Sequence, residues 1–162
     1  MTALVTTDQR IQRRLTGLSE ALLAFHDDLE AHAATNEVAT LMWTEFGRRV
    51  RANGSSGTDH GAAGPLFVSG GGVRGSLYGE PPSLRVLDEN GDLRFTTDFR
   101  SVYASIIEQW FKSDPAAVLG GRYPQIPLFA RRRRSPEGGR RSLPRSEGSV
   151  IVRVPYDAAR RR

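Results

Sequence analysis

The chain has 162 residues, of which 38% are apolar, and this is enough for one domain with a buried core. It contains no Cys, so a disulfide framework and a thiolate metal site are excluded, and any metal would have to bind His, Asp or Glu. Residues 131–162 hold 11 Arg and 3 acidic residues, a net +8, which leaves −3 of the overall +5 for residues 1–130. The basic character therefore belongs to the C-terminal segment and not to the candidate domain.

Membrane insertion and export have no support in the sequence. No segment approaches the ~20 apolar residues that a spanning helix needs. Residues 1–10 lack the charged start and apolar run of a secretory signal. The sequence therefore predicts no membrane span and, by default, a cytoplasmic location.

The first predicted element is an amphipathic helix over residues 8–33, with Asp8 as its N-cap. Its apolar side chains recur at spacings of four and three and share one face: Ile11, Leu15, Leu18, Leu22, Phe25 and Leu29. An apolar run at residues 38–43 follows and predicts a buried strand, an order typical of α/β folds. Thr44 and Glu45 fall just beyond that strand, where such folds tend to carry active residues.

The rest of the chain predicts shorter elements. Residues 47–64 are expected to form a loop rich in Gly, Ser and Arg, and residues 66–69 a strand. Residues 70–92 are expected to be irregular, and 93–95 a short strand. A second helix, capped by Thr97, is predicted by six apolar residues at helical spacing: Phe99, Val102, Tyr103, Ile106, Ile107 and Trp110. Residues 130–162 have few apolar side chains and are predicted to be a disordered tail, which divides the chain into a domain at 1–129 and a tail at 130–162.

Candidate metal ligands lie in the predicted 44–61 region. Glu45 is a carboxylate at a strand end, and Asp59-His60 is an acid–imidazole pair between glycines. Hard divalent metals prefer carboxylate oxygen, and Zn²⁺ accepts imidazole and carboxylate together. On spacing alone, a polar surface turn is the simpler interpretation of Asp59-His60-Gly61.

Two further patterns have simple alternatives. Residues 70–75 read Gly-Gly-Gly-Val-Arg-Gly, which matches a dinucleotide fingerprint in letters, but Pro81-Pro82 follows shortly and no helix can start there. The glycines are better explained by tight backbone turns. Arg48 and Arg49 are candidates to bind an anion, or else form a solvated face or pair with acids.

These motifs resemble the bacterial domain-of-unknown-function family 1501, which is regarded as sulfatase-like and placed in the alkaline phosphatase superfamily. The residues that carry the resemblance are Glu45-Phe46-Gly47-Arg48, Gly57-Thr58-Asp59-His60-Gly61, the 70–75 string, Leu77-Tyr78-Gly79 and the segment 97–103. The resemblance covers roughly residues 10–129. It implies an α/β fold with an alkaline-phosphatase-like three-layer sheet and flanking helices.

The resemblance also implies a chemistry. Members of that superfamily typically hydrolyse phosphate or sulfate esters with two divalent metals beside a nucleophile. Glu45, Asp59 and His60 stand where the superfamily places late metal ligands, and the metal would be Zn, Mn, Ca or Mg. The early ligands and the nucleophile have no counterpart in this sequence, so no catalytic residue is assigned. We therefore expect a fragment of such a hydrolase domain that is inactive alone.

Two other functions remain open. The chain could be a non-catalytic structural or interaction remnant, and exposed sheet edges would then favour self-association. Alternatively, the Arg-rich tail could bind nucleic acid through phosphates. That alternative is less favoured because no aromatic residue interleaves the arginines before Tyr156 to stack on bases.

Overall fold

The fold is mixed α/β, with small antiparallel sheets and a few helices. It is taken from a computed structural model that describes residues 2–55, 57–130 and 149–155, and the side chains of residues 9, 11–55 and 57–130. In chain order, the described elements are α1 (Thr2–Ala31), β1 (Ala39–Met42), β2 (Gly47–Ala52), β3 (Thr58–Gly61), β4 (Ala63–Gly70), β5 (Ser76–Tyr78), α2 (Phe99–Gln109), α3 (Pro115–Leu119) and β6 (Ser149–Pro155). No described helix is long and apolar enough to cross a membrane.

The larger sheet has the strand order β1-β4-β6-β5. Strand β4 pairs antiparallel with β1 on one side and with β6 on the other, while β5 and β6 run parallel. Strands β1 and β5 are therefore the edges of this sheet within the described residues, and self-association through such edges stays a prediction. The three-layer arrangement implied by the resemblance also stays a prediction.

The core lies between β4, α2 and an extended segment at 126–129. Its buried apolar side chains come from all three and from the turn after β4: Leu66, Val68, Val73, Val102, Leu128 and Phe129. The buried hydroxyl of Ser105 donates to the Ser101 carbonyl at 2.6 Å and accepts from the Ile126 amide at 2.7 Å. The Ser105 side chain thus connects the extended segment to α2 and gives the Ile126 amide a hydrogen-bond acceptor at the edge of the core.

The N-cap of helix α2 is Asp98 and not the predicted Thr97. The Asp98 carboxylate accepts from the Arg100 amide at 2.8 Å, which satisfies one of the free donors of the first turn. Asp98 also bonds to the Arg100 guanidinium at 2.6 Å, and this hydrogen bond lowers the pKa of Asp98. A helix-start charge is the simplest interpretation of Asp98, and its capping contacts agree with that interpretation.

Several element predictions differ from the structure. The predicted helix at 8–33 is confirmed, but it begins at Thr2, so Asp8 is inside α1 and not its cap. The predicted loop at 47–64 contains the β2–β3 hairpin, whose turn is closed by Asn53 accepting from the Ser55 and Gly57 amides. In place of the predicted strand at 93–95 there is a single bridge between Leu87 and Leu93.

The structure describes only part of the predicted tail. Residues 131–148 and 156–162 lie outside the described residues, so the predicted disorder is not tested there. Residues 149–155 differ from the prediction because they form β6, which is hydrogen-bonded to β4 along its length and to β5 on its other side. A short apolar run becomes a strand when two neighbours supply its hydrogen bonds, which local composition does not reveal.

Candidate anion-binding cleft

A cleft of about 600 Å³ lies between the starts of β2 and β4 and the loop at 82–96. Its larger apolar side chains come from the residue before β2, from β4 and from the loop: Phe46, Pro65, Pro82, Leu84, Leu93 and Phe95. The charged side chains in its lining are Arg48 and Arg94, and no acidic residue joins them. The volume is in the range of small-molecule sites, which are typically apolar with a few placed polar groups.

Gly47 determines how closely the hairpin approaches β4. A Cβ at Gly47 would lie 1.7 Å from the Ala63 carbonyl oxygen, a distance that no side chain can occupy. Gly61 faces Gly47 across the hairpin, and a Cβ there would also meet the β2 backbone, 2.8 Å from the Arg48 carbonyl carbon. Because Gly47 and Gly61 have no side chains, β2 can cross close to the start of β4, and this places Phe46 and Arg48 in the cleft lining.

Phe46 holds two side chains of the hairpin. Its ring stacks on His60 with centroids 3.4 Å apart and planes 17° apart. On β2, the Arg48 guanidinium carbon lies 5.2 Å from the Phe46 centroid, a cation–π contact, and its Nη1 donates to the Thr58 carbonyl at 2.8 Å. Arg48 is therefore held in place by contacts that leave part of its guanidinium available to an anion.

Arg94 is presented by a tight loop. The Asp88 carboxylate accepts from the Asn90 and Asp92 amides at 2.9 and 2.8 Å, an Asx-type turn. The Arg94 Nε donates to the Leu87 carbonyl at 3.0 Å, and its terminal nitrogens have no hydrogen-bond partner among residues 57–130. The loop thus fixes the stem of Arg94 beside the cleft and leaves the N–H groups of both terminal nitrogens for a ligand.

Arg49, the residue after Arg48 on β2, does not line the cleft and instead forms an ion pair. Its Nε donates to the Asp92 carboxylate at 3.0 Å, and Asp92 is only 14% exposed. This ion pair connects β2 to the loop that carries Arg94. Of the two arginines predicted to bind an anion, Arg48 lines the cleft, while Arg49 holds the loop against the hairpin.

The predicted metal ligands do not converge. Glu45 is exposed in the connection between β1 and β2. Asp59 accepts from the Asn53 side-chain amide at 2.9 Å, while His60 stacks on Phe46. Asp59 and His60 are successive residues of β3, and successive strand side chains point to opposite faces.

Within the described part of the chain, no group of three His, Asp or Glu side chains could hold a metal ion. The residues as arranged therefore do not fit the closed two-metal site that the resemblance implies. The assignment of Glu45, Asp59 and His60 as ligands stays a prediction.

Sequence reasoning missed Arg94, the second arginine of the cleft. A signal for it exists in Asp88-Glu89-Asn90-Gly91-Asp92, a run typical of a tight turn, with Gly91 at φ 78°. Only the fold brings that turn beside the β2–β3 hairpin, where the pair between Arg49 and Asp92 connects the two segments.

Comparison with known protein families identifies a relationship. The family described as "Protein of unknown function (DUF1501)" matches residues 6–119, which is more than half of the chain. No curated protein and no solved structure matches this chain. The matched range contains the whole hairpin, the cleft and α2, and the chain therefore belongs to the family of proteins of unknown function DUF1501.

Proposed function

We propose that this chain carries the substrate-binding side of a sulfatase- or phosphatase-like domain, within a three-layer α/β fold of the alkaline phosphatase type. In this proposal the cleft binds a phosphate or sulfate ester. The observation that carries it is the lining of the cleft, where two arginines lie among apolar side chains without an acidic residue.

The chemistry of the lining suits such an ester. A guanidinium presents several N–H donors in a plane and bonds well to phosphate or sulfate oxygens. Arg94 offers its two terminal nitrogens, and Arg48 is held beside Phe46. The apolar walls would accept the organic part of the ester, for which Leu84 and Phe95 are 67% and 58% exposed.

We further propose that the chain binds the ester without hydrolysing it. Ester hydrolysis in the related superfamily uses metal ions that activate a nucleophile and stabilise the leaving oxygen. Here Asp59 is bonded to Asn53 and His60 is stacked on Phe46, so the candidate ligands do not surround a common point. The bound anion would therefore rest on Arg48 and Arg94 alone.

The test is isothermal titration calorimetry, in which 4-nitrophenyl sulfate or 4-nitrophenyl phosphate is titrated into the purified chain. We expect binding that weakens about 10-fold or more in Arg94→Ala, because a charge-assisted hydrogen bond is worth about 1.5–3 kcal/mol. Arg85→Ala is the matched control, since Arg85 is an exposed arginine of the same loop that does not line the cleft. Equal loss in both variants, or equal binding of uncharged 4-nitrobenzyl alcohol, would contradict the proposal.

The absence of turnover is tested on the same samples with Zn²⁺, Mn²⁺, Mg²⁺ or Ca²⁺ added. We expect no metal-dependent release of 4-nitrophenol. Turnover that is lost in an Asp59→Ala, His60→Ala double variant would overturn the binding-only proposal and assign those two residues as metal ligands.

A second candidate function is an interaction module, and one observation favours it. The apolar stripe of α1 is exposed to solvent, with Ile11, Leu15 and Leu18 all at least half exposed. A large exposed apolar stripe on a helix indicates a contact surface. Nucleic-acid binding through the tail rests on residues outside the described range and stays a prediction.

A further inference from the structure

The exposed face of α1 is a regular stripe along a long helix. The helix spans Thr2–Ala31, and every residue from Ile11 to Ala21 is exposed. Further along, Phe25 is still 44% exposed, while Leu22 and Leu29 are half-buried. The described elements therefore leave most of this stripe in water, where each apolar side chain loses the free energy that burial would supply.

The stripe has the spacing of a coiled coil. Its six apolar residues are separated by four, three, four, three and four positions, which is a heptad pattern with alternating d and a positions. Leu15, Leu22 and Leu29 occupy the a positions. A strict 3.5-residue repeat favours pairing with another helix over packing on a broad sheet surface, which needs a wider apolar face.

We propose that α1 pairs with α1 of a second copy of this chain in an antiparallel, two-fold symmetric coiled coil centred near Glu20. Antiparallel helices form layers in which an a position faces a d position. The layers that result are all apolar: Ile11 with the partner's Leu29, Leu15 with the partner's Phe25, and Leu18 with the partner's Leu22.

The flanking charges also complement each other in this orientation. Arg14 and Asp28 both occupy g positions, and antiparallel pairing brings g positions of the two helices together. Two-fold symmetry then gives the Arg14–Asp28 pair twice. Just beyond α1, the His32 ring lies 3.5 Å from the Asp28 carboxylate, and the partner's Arg14 would add a permanent positive charge at this end of the helix, where the helix dipole favours cations.

Parallel pairing lacks these contacts. It would place Arg14 near the partner's Ser19, and Asp28 near the partner's Ala33, with no opposite charge at either position. The basic part of one helix would also lie beside the same part of its partner. Charge therefore selects the antiparallel orientation.

The experiment is sedimentation velocity on the full chain across a range of concentrations. We expect the mass to rise from 17.8 kDa toward twice that value with concentration. Arg14→Asp and Asp28→Arg should each weaken dimerisation about 10-fold, because each creates two like-charge contacts. The double variant Arg14→Asp, Asp28→Arg should restore it, because the pair is reversed and again complementary.

Matched controls are available in the neighbouring outward-facing f positions. Arg13→Asp and Asp27→Arg make the same charge changes one residue away and should leave the dimer unchanged, with circular dichroism confirming that α1 stays helical. A monomer at all concentrations would overturn the proposal. Failure of the double variant to restore dimerisation would also overturn it, because parallel pairing or contact with another part of the chain gives no such reciprocity.

Discussion

Helices α1 and α2 have the same kind of apolar periodicity but different surroundings. The α2 side chain Val102 is fully buried, and Ser105 beside it bonds to the backbone at Ile126. The α1 side chains Leu15 and Leu18 are 57% and 51% exposed. The comparison shows that periodicity identifies which face of a helix is apolar, while tertiary contacts decide what covers that face.

The largest expected effect comes from truncating the same side chain in the two regions. Leu128→Ala removes a fully buried side chain that packs with α2, and we expect a loss of about 3 kcal/mol in the free energy of unfolding. Leu18→Ala in α1 should cost less than about 0.5 kcal/mol at concentrations where the chain is monomeric. Urea denaturation measures both, and equal losses would show that α1 is buried in solution.

Removal of the Ser105 hydroxyl should have the next largest effect. Ser105→Ala leaves the Ile126 amide without its acceptor in a partly buried position, and we expect a cost of about 2 kcal/mol. Ser113→Ala is the control, because Ser113 is exposed and its hydroxyl makes only a long 3.5 Å contact to a carbonyl. Thermal unfolding would separate the two, and similar melting temperatures would contradict the assigned role of Ser105.

The cap of α2 adds a pH-dependent contribution. Asp98→Ala should cost about 1 kcal/mol at neutral pH through loss of the cap. The hydrogen bond from Arg100 lowers the pKa of folded Asp98, so its charge-dependent stabilisation is present above the ordinary aspartate pKa of about 3.9. That stabilisation is lost as pH falls through the lowered folded pKa.

Asp98→Asn separates the two contributions, since asparagine caps a helix about as well as aspartate but does not titrate in this range. At neutral pH, we expect Asp98→Asn to be more stable than Asp98→Ala and close to wild type. As the pH falls, it should not show the loss of stability that protonation of Asp98 causes in wild type. Stability that falls equally in acid for wild type and Asp98→Asn would assign the effect to other carboxylates.

The smallest expected effect concerns Lys112, three residues beyond the end of α2. Lys112 has φ 57°, a left-handed conformation that a Cβ disfavours and glycine adopts freely. Lys112→Gly should therefore raise the free energy of unfolding by about 0.5 kcal/mol, after the greater entropy of the unfolded glycine chain and the loss of the exposed hydrogen bond from Lys112 Nζ to the Gln109 carbonyl are subtracted. Phe111→Gly, at a neighbouring exposed position without positive φ, should give no gain in the same measurement.

Local patterns in the sequence predicted the elements whose signals are local. The apolar runs predicted α1, β1, β4 and α2, because periodicity and composition reflect burial within a few residues. The β2–β3 hairpin was missed because its segment is rich in Gly, Ser and Arg, a composition typical of loops, although Arg49-Val50-Arg51-Ala52 alternates as a strand does. The strand β6 was missed because its hydrogen bonds come from β4 and β5, which are distant in sequence.

For the candidate site, the sequence by itself determined the family motifs and the Arg48 candidate, since these depend on residue identity and short spacing. The tertiary structure decided the partners. It brought Arg94 to the same cleft as Arg48, paired Arg49 with Asp92, and left Asp59 and His60 on a strand whose successive side chains face opposite ways. The physical reason is that binding depends on distances between segments, and those distances are fixed by packing and long-range hydrogen bonds.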